Sequence, residues 1–320
     1  LNGEREPFHI GGHPVTAAYP GPVSQDFDMS RDRMENFTRE VAGDWGVKLY
    51  SSIAEVMKNS DAVFLEQVDA RRRLEQFREM VCFGKPIYVD KPFALNTADC
   101  REMFKLAEQY GVPVLSTSSL RFADGLTAAL KQCEWHSVIG ADFFGPMPFT
   151  ATQPGYFWYG VHMADMLYRT MGTGCSKVSV IHTSEHDIIT GVWKDGRIGN
   201  IRGNRCGNGN FGGTIFHESG SVFIDVSQDK RGYYECLVEQ IIPEYTEDSL
   251  NGYLDQLNLQ NRDYMIEYVT LQELERRLRV QQASERDWSL FGEIEQGTGV
   301  VSDIWDWKKA GNKSVFTVAE

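Results

Sequence analysis

The feature that most constrains the fold is an alternation of strand-like and helix-like segments along the first third of the chain. Stretches whose apolar residues recur at helical spacing separate short β-prone runs at 15–19, 62–65, 86–89 and 112–115. Strand–helix–strand units of this length require right-handed crossovers and build a parallel sheet. We therefore predict an α/β domain of the nucleotide-binding type, with its ligand at the carboxyl ends of the strands.

Local signals predict where three helices of this region begin and end. Ser30 is placed to cap a helix, and Ser52 followed three residues later by Glu55 resembles a capping box. Thr97 is placed to cap a longer helix that Gly111 closes.

The pattern changes after about residue 120. A helix is predicted at 159–171, and β-rich segments follow, with hairpin turns at Asp195-Gly196 and Ser219-Gly220. This pattern indicates an α+β domain with an open, mostly antiparallel sheet.

The resulting division is a nucleotide-binding domain at 1–120 and a substrate and oligomerisation domain at 121–320. Beyond about residue 247 the sequence is polar, with a helical segment at 271–280. We assign no role to that stretch.

Charge and cysteine usage exclude several classes of partner and site. The net charge of −13 argues against nucleic-acid and anionic-membrane partners, and the sequence lacks an apolar run long enough to cross a membrane. Six scattered cysteines without a C-x-x-C pair predict no structural zinc and a reducing, cytoplasmic location. Export stays open because the chain begins at Leu1 rather than Met. His182 and His186 are interpreted as a loop pair, not a metal pair.

The strongest local signal is the run GKPIYVDKP, in which a buried strand delivers Asp90 and Lys91 to its carboxyl end before Pro92. A lysine held there can donate a hydrogen bond to a substrate hydroxyl and take part in acid–base chemistry. The alternative from the residues alone is an exposed Asp-Lys pair in a turn before a helix.

The longer run GKPIYVDKPFALNTADCREMFKLAEQYGVPVLSTSSLRF resembles the signature of the glucose–fructose oxidoreductase/inositol dehydrogenase (Gfo/Idh/MocA) family. In that family the strand ends in Glu-Lys-Pro. Here Asp90 stands for the glutamate, and Lys91 and Pro92 match. The resemblance implies a Rossmann-type domain in which these three residues contact the nicotinamide ribose.

The same resemblance extends to the flanking segments. The run DAVFLEQVDARRRLEQ is similar to the family's strand and loop beside the nicotinamide, which makes Val68 and Asp69 cofactor-binding candidates. Arg73 stands where many members place a histidine. Arg121 lies where members often carry an arginine near the domain crossover and is a further cofactor-binding candidate.

A second motif, WYGVHMAD, resembles the family's Asp-x-Gly-x-His-x-x-Asp helix start. It implies that His162 accepts or donates a proton, with Asp165 beside it on one helical face. Trp158 replaces the family's first aspartate. Trp158 and Tyr159 are therefore predicted to contact the substrate, with an aromatic ring stacking on a sugar.

Together these motifs predict an NAD- or NADP-dependent oxidoreductase that moves a hydride to or from a hydroxyl-bearing carbon of a sugar or cyclitol. A homo-oligomer is a further expectation. The family's G-x-G-x-x-G turn is not in this sequence, which predicts that the chain starts after the first strand of the domain. Two alternatives stay open: a redox-neutral, NAD-assisted glycosidase or lyase, and a non-catalytic relative that binds a sugar or a protein.

Overall fold

The structure, a computed structural model, describes residues 14–133 and 137–241 and the backbone of two later strands at 301–304 and 314–318. The helical segment predicted at 271–280 lies outside the described residues.

The first part of the chain forms short parallel sheets. One sheet pairs two strands and the other pairs three, in the order β3–β4–β5. These strands are β1 (Ala17–Ala18), β2 (Lys48–Leu49), β3 (Val63–Leu65), β4 (Ile87–Val89) and β5 (Val114–Leu115). The parallel pairing confirms the predicted Rossmann-type class of fold.

Eight α-helices are present in the described residues. A π-turn at Glu40–Asp44 continues the second of them, and short 3₁₀ turns precede several others. The helices are α1 (Asp28–Arg31), α2 (Met34–Arg39), α3 (Ile53–Lys58), α4 (Arg73–Val81), α5 (Thr97–Tyr110), α6 (Asp124–Gln132), α7 (Gly160–Met171) and α8 (Tyr233–Ile241).

Two of the predicted helix starts are wrong. Ser30 lies inside α1 rather than at its cap, because its hydroxyl accepts a hydrogen bond from the backbone N–H of Ser24 at 3.0 Å. The side chain of Asn96 caps α5 by accepting from the N–H of Asp99 at 2.8 Å, so Thr97 becomes the first residue of that helix.

The other predicted helix ends are confirmed. The Ser52 hydroxyl accepts from the N–H of Glu55 at 3.3 Å at the start of α3. The Glu55 carboxylate accepts in return from the N–H of Ser51 at 2.9 Å, one residue earlier than in a standard capping box. Gly111 ends α5 with φ 63°, a left-handed conformation that favours glycine.

The second part of the chain builds one eight-stranded sheet in the order β11–β10–β6–β9–β8–β7–β13–β12. Only the β6–β9 pair is parallel, which confirms the mostly antiparallel sheet. The strands are β6 (Val138–Pro146), β7 (Cys175–His182), β8 (His186–Trp193), β9 (Ile198–Asn204), β10 (Gly212–His217), β11 (Gly220–Asp225), β12 (Val301–Ile304) and β13 (Ser314–Val318). The hairpin turns predicted at Asp195-Gly196 and Ser219-Gly220 join β8 to β9 and β10 to β11.

Helix α7 lies against this sheet and is buried along almost its whole length. A Cβ at Gly199 of β9 would come within 2.8 Å of the Leu167 side chain, so the missing side chain permits the close approach of helix and strand. Buried Phe143, Ile201 and Ile215 belong to the same core. This packing fixes α7, which carries His162 and Asp165. The domain boundary near residue 120 stays a prediction.

Candidate active site

A buried arginine holds the turn that follows β4. Arg73, at the start of α4, is 1% exposed and donates to the carbonyls of Gln67 (3.0 Å), Lys91 (3.3 Å) and Pro92. Its guanidinium also lies 3.6 Å from the Asp90 carboxylate. Arg73 therefore fixes the backbone after β3 to the backbone after β4, and with it the position of Lys91.

The Lys91 ammonium lies beside two aromatic rings from the second part of the chain. Its Nζ is 5.2 Å from the centroid of the Trp158 ring and 5.8 Å from that of Tyr159. Burial lowers the pKa of Lys91 below its usual 10.5, Arg73 acts in the same direction, and the Asp90 charge opposes them. A larger share of this lysine is therefore neutral near pH 7 than of an exposed lysine.

Glu66 follows β3 directly, as Asp90 follows β4, and it was not singled out from the sequence. Its side chain is open to solvent, yet surrounding protein raises the pKa of Glu66, and the Asp90 charge adds to that effect. Glu66 and Asp90 therefore place two carboxylates at the carboxyl edge of the parallel sheet, within electrostatic reach of Lys91.

His162 lies in the first turn of α7 and its ring is held from one side. Its Nδ1 is 2.6 Å from the Ser118 hydroxyl, which also accepts from the N–H of Leu120 at 3.2 Å. The hydroxyl can donate to Nδ1 or accept from it, so this contact fixes the orientation of the ring with either nitrogen protonated. Burial lowers the pKa of His162 well below 6.5, and the Lys91 charge adds to this. The ring is therefore neutral near pH 7.

Aromatic rings complete the surroundings of His162. Tyr159 and Phe211 each make an edge contact with the imidazole at a centroid distance of 5.4 Å. Trp158 packs against Phe27 at 5.4 Å, which connects this wall to the first part of the chain. Tyr159 thus contacts both Lys91 and His162, and we call Trp158 and Tyr159 the aromatic wall.

Asp165 lies behind His162 and is 1% exposed. Its carboxylate accepts from the Thr117 hydroxyl and the Ser118 N–H, both at 2.6 Å, and pairs with Arg121 at 2.7 Å. These contacts tie α7 to the segment that follows β5. Asp165 and Arg121, predicted as a catalytic and a cofactor-binding residue, thus contact each other.

Asp69, the other acidic cofactor-binding candidate, is also occupied by protein groups. It accepts from Ser24 (2.5 Å), Arg71 (2.7 Å) and Gln153 (3.1 Å). Burial acts to raise the pKa of Asp69, but the hydrogen bonds from Arg71 and Ser24 outweigh it and lower that pKa. The half-buried Val68 precedes it, one residue nearer to β3.

The structure therefore brings together Lys91, His162, Trp158 and Tyr159, places Asp165 and Arg121 behind them, and engages Asp69 elsewhere. Sequence reasoning missed Glu66, Ser118 and Phe211. The rule that ligands lie at the carboxyl ends of parallel strands could have found Glu66. Ser118 follows β5 by three residues and could have been found in the same way. Among the described residues, no helix has the length and apolar character needed to cross a membrane.

A family model described as the oxidoreductase family Gfo/Idh/MocA, NAD-binding Rossmann fold, matches residues 27–118. No curated protein matches the sequence.

Solved structures share the fold at low identity. A probable dehydrogenase from Thermotoga maritima is 18% identical and aligns 76% of this chain with 87% of that one at a TM-score of 0.58. A myo-inositol dehydrogenase from Corynebacterium glutamicum is 12% identical, with 81% and 87% covered and a TM-score of 0.60. GenD2 from gentamicin A biosynthesis, solved with NAD, is 15% identical, with 72% and 84% covered and a TM-score of 0.55.

Proposed function

Since the chain carries the NAD-binding domain of the Gfo/Idh/MocA oxidoreductase family over residues 27–118, we propose that it moves a hydride to or from a hydroxyl-bearing carbon of a sugar or cyclitol. One observation carries the proposal: Lys91 and His162, from different parts of the chain, both contact the Tyr159 ring. Alcohol–carbonyl interconversion needs one group that moves the hydroxyl proton, and a second polar group can orient the same oxygen.

The residues at the carboxyl edge of the parallel sheet fit the nicotinamide half of the cofactor. Glu66 and Asp90 follow adjacent strands, and carboxylates there can accept hydrogen bonds from ribose hydroxyls. Glu66 is exposed, so a bound group can reach its carboxylate. When bound, the nicotinamide supplies the electron-pair acceptor or donor for the hydride. NAD and NADP both remain candidates, because no described residue distinguishes a 2′-hydroxyl from a 2′-phosphate.

Lys91 is proposed as the group that takes the proton from the substrate hydroxyl, or returns it in the reverse direction. Its lowered pKa provides the neutral amine that a base requires. His162 is assigned a complementary role. With a neutral ring held by Ser118, it is proposed to orient the substrate oxygen through a hydrogen bond of Nε2. The family resemblance implies the reverse division, and the strongly lowered pKa of His162, which makes its ring a weak base, is the reason for the difference.

The remaining candidates are proposed to position these groups. Asp165 and Arg121 hold α7 against the segment after β5, which keeps His162 beside Ser118 and Tyr159. The aromatic wall offers an apolar face on which the C–H face of a sugar ring can stack. Asp69 is proposed to fix the loop after β3, which leaves cofactor contacts there to Val68 and the backbone.

A redox-neutral reaction is the second candidate, and one observation favours it. Where the family's first aspartate would stand, Trp158 is 7% exposed and packs on Phe27, so this position supplies no carboxylate beside Lys91. A site with a lysine base and no second acid could also oxidise a glycoside transiently, cleave or eliminate, and return the hydride.

The test is steady-state turnover of myo-inositol, free hexoses and nucleotide-linked hexosamines with NAD and NADP, followed by nicotinamide absorbance. We expect Lys91→Ala and His162→Asn to lower kcat/KM by about 10²–10⁴-fold. The exposed Lys105 and the hairpin residue His217 provide matched controls, and Lys105→Ala and His217→Asn should leave turnover unchanged.

Full turnover by the Lys91 or His162 variant would refute the assigned roles. Glycoside consumption without net NADH would instead select the redox-neutral reaction.

A further inference from the structure

A second cluster of chemically reactive side chains, separate from Lys91 and His162, lies at the tip of the β7–β8 hairpin. Glu185, His186 and Cys206 place one ligand atom each within 4.8 Å of the other two. His186 pairs with Asn204 across β8 and β9, and this register brings Cys206, two residues farther on, beside the imidazole. The sulfur of Cys206 is 3.9 Å from Nε2 of His186.

We propose that Glu185, His186 and Cys206 bind a borderline-soft divalent cation of the Zn²⁺ type, with water in the fourth position. Thiolate, imidazole and carboxylate are the ligands that zinc takes in proteins, whereas magnesium and calcium take oxygen ligands. Zn–S and Zn–N bonds of about 2.3 and 2.0 Å at a tetrahedral angle separate sulfur from nitrogen by about 3.5 Å. The observed separation needs to close by only a few tenths of an ångström.

The backbone that carries these ligands is already fixed. The Thr183 hydroxyl accepts from the N–H of His186 at 2.9 Å, within the turn. Across the strands, the N–H of Arg205 donates to the carbonyl of Glu185, and its guanidinium donates to that of Ser184, both at 2.8 Å. A site built on a held turn loses little conformational freedom when the cation binds.

An outer contact orients the imidazole for this role. Nδ1 of His186 is 3.2 Å from the Asn204 side-chain oxygen, which assigns the ring proton to Nδ1 and leaves the Nε2 lone pair on the side of Cys206. Metal-bound histidines are oriented by such a contact through their other nitrogen. On binding, the cation replaces the thiol proton of Cys206, and that proton passes to the solvent.

The other ionisable groups near the cluster are engaged with one another and do not compete for the cation. Nδ1 of His182 is bound to the buried Asp187, so His182 is not part of the ligand set. Asp187 also pairs with Arg205 and compensates that positive charge near the site. Glu185 and Cys206 are exposed, so a cation can reach them from solvent.

The test is titration of the reduced full chain with Co²⁺, followed by its thiolate charge-transfer band, and with Zn²⁺ in competition. We expect one Co²⁺ per chain and a band that Zn²⁺ abolishes. Cys206→Ser should remove the band, whereas Cys82→Ser, at the other exposed cysteine, should retain it. Asn204→Ala should weaken Zn²⁺ binding by about 10–100-fold.

Thermal unfolding of each variant checks that the fold is kept. The absence of a band in the native chain, or its persistence in Cys206→Ser, would overturn the proposal. Neither result depends on Lys91, His162 or turnover, so this site and the proposed oxidoreductase activity can fail separately.

Discussion

Replacement of Asp165 tests whether α7 is fixed to the parallel-sheet region by the contacts described. In Asp165→Ala, the Thr117 hydroxyl and the Ser118 N–H lose a buried charged acceptor, and Arg121 loses its carboxylate. Asp165→Asn keeps an acceptor oxygen but removes the charge. Asp195→Ala is the matched control, because Asp195 pairs with Arg197 at 2.8 Å and is 52% exposed.

The magnitudes follow from burial. Removal of one partner of a buried ion pair costs about 3–5 kcal/mol. This range already contains the cost of leaving the Ser118 N–H without this acceptor, about 1–3 kcal/mol, whereas the Thr117 hydroxyl keeps the Ser118 carbonyl as a partner at 3.1 Å. Arg121 is partly exposed and can recover some hydration, so we expect the lower part of that range, about 3 kcal/mol, for Asp165→Ala. Asp165→Asn should cost about 1.5–3 kcal/mol, and the exposed pair under about 1 kcal/mol.

Urea unfolding followed by tryptophan fluorescence measures the free energy of unfolding, and far-ultraviolet circular dichroism checks that both probes report one transition. The expected order of destabilisation is Asp165→Ala, then Asp165→Asn, then Asp195→Ala. If the free energies of unfolding of Asp165→Ala and Asp195→Ala differed by less than about 0.5 kcal/mol, the Asp165 carboxylate would not hold α7 to the segment after β5. Its predicted catalytic role would then be the better account.

Three further predictions concern His162, Trp158 and two glycines. The pKa of His162 is lower in the folded protein than the 6.5 of an unfolded chain, so the unfolded state binds the extra proton and stability falls as the pH drops below about 6.5. In His162→Gln, the urea midpoint of unfolding should depend less on pH below about 6.5 than it does in the native protein. Trp158→Ala should admit water to Lys91 and raise its pKa, moving the rise of kcat/KM to higher pH, whereas Trp158→Phe should keep the native profile. Gly213→Ala should lower the free energy of unfolding by about 1–3 kcal/mol, because the added Cβ would lie 2.5 Å from a backbone oxygen. Gly43→Ala should raise it by about 0.5–1 kcal/mol, because a Cβ at Gly43 meets open space. Equal urea midpoints for the two variants would contradict this packing.

The fold class could be predicted because it depends on periodicity that neighbouring residues carry. The exact helix starts could not be predicted, since they depend on which of several backbone N–H groups a capping side chain binds. Ser30 fits a cap by type, but the N–H of Ser24 takes its hydroxyl. Asn96 and Thr97 are adjacent and both cap well, so sequence alone does not choose between them.

The residues of the candidate site could also be predicted only where they stand in a local sequence motif. Lys91 and His162 could be predicted because each stands in a motif with its neighbours. The Ser118 contact that orients the His162 ring, and the Asp165 contacts behind it, join residues more than 40 positions apart. The cluster of His186 and Cys206 depends on strand register, which spacing along the chain does not reveal.

The aromatic wall has a consequence for how activity can be inherited. Lys91 comes from the edge of the parallel sheet, whereas Trp158, Tyr159 and His162 come from the start of α7. Neither half of the chain by itself holds both groups that we propose to act on the substrate hydroxyl. A hybrid that joins this parallel-sheet region to the second region of a relative would therefore inherit chemistry only if the Asp165 docking contacts were transferred with it.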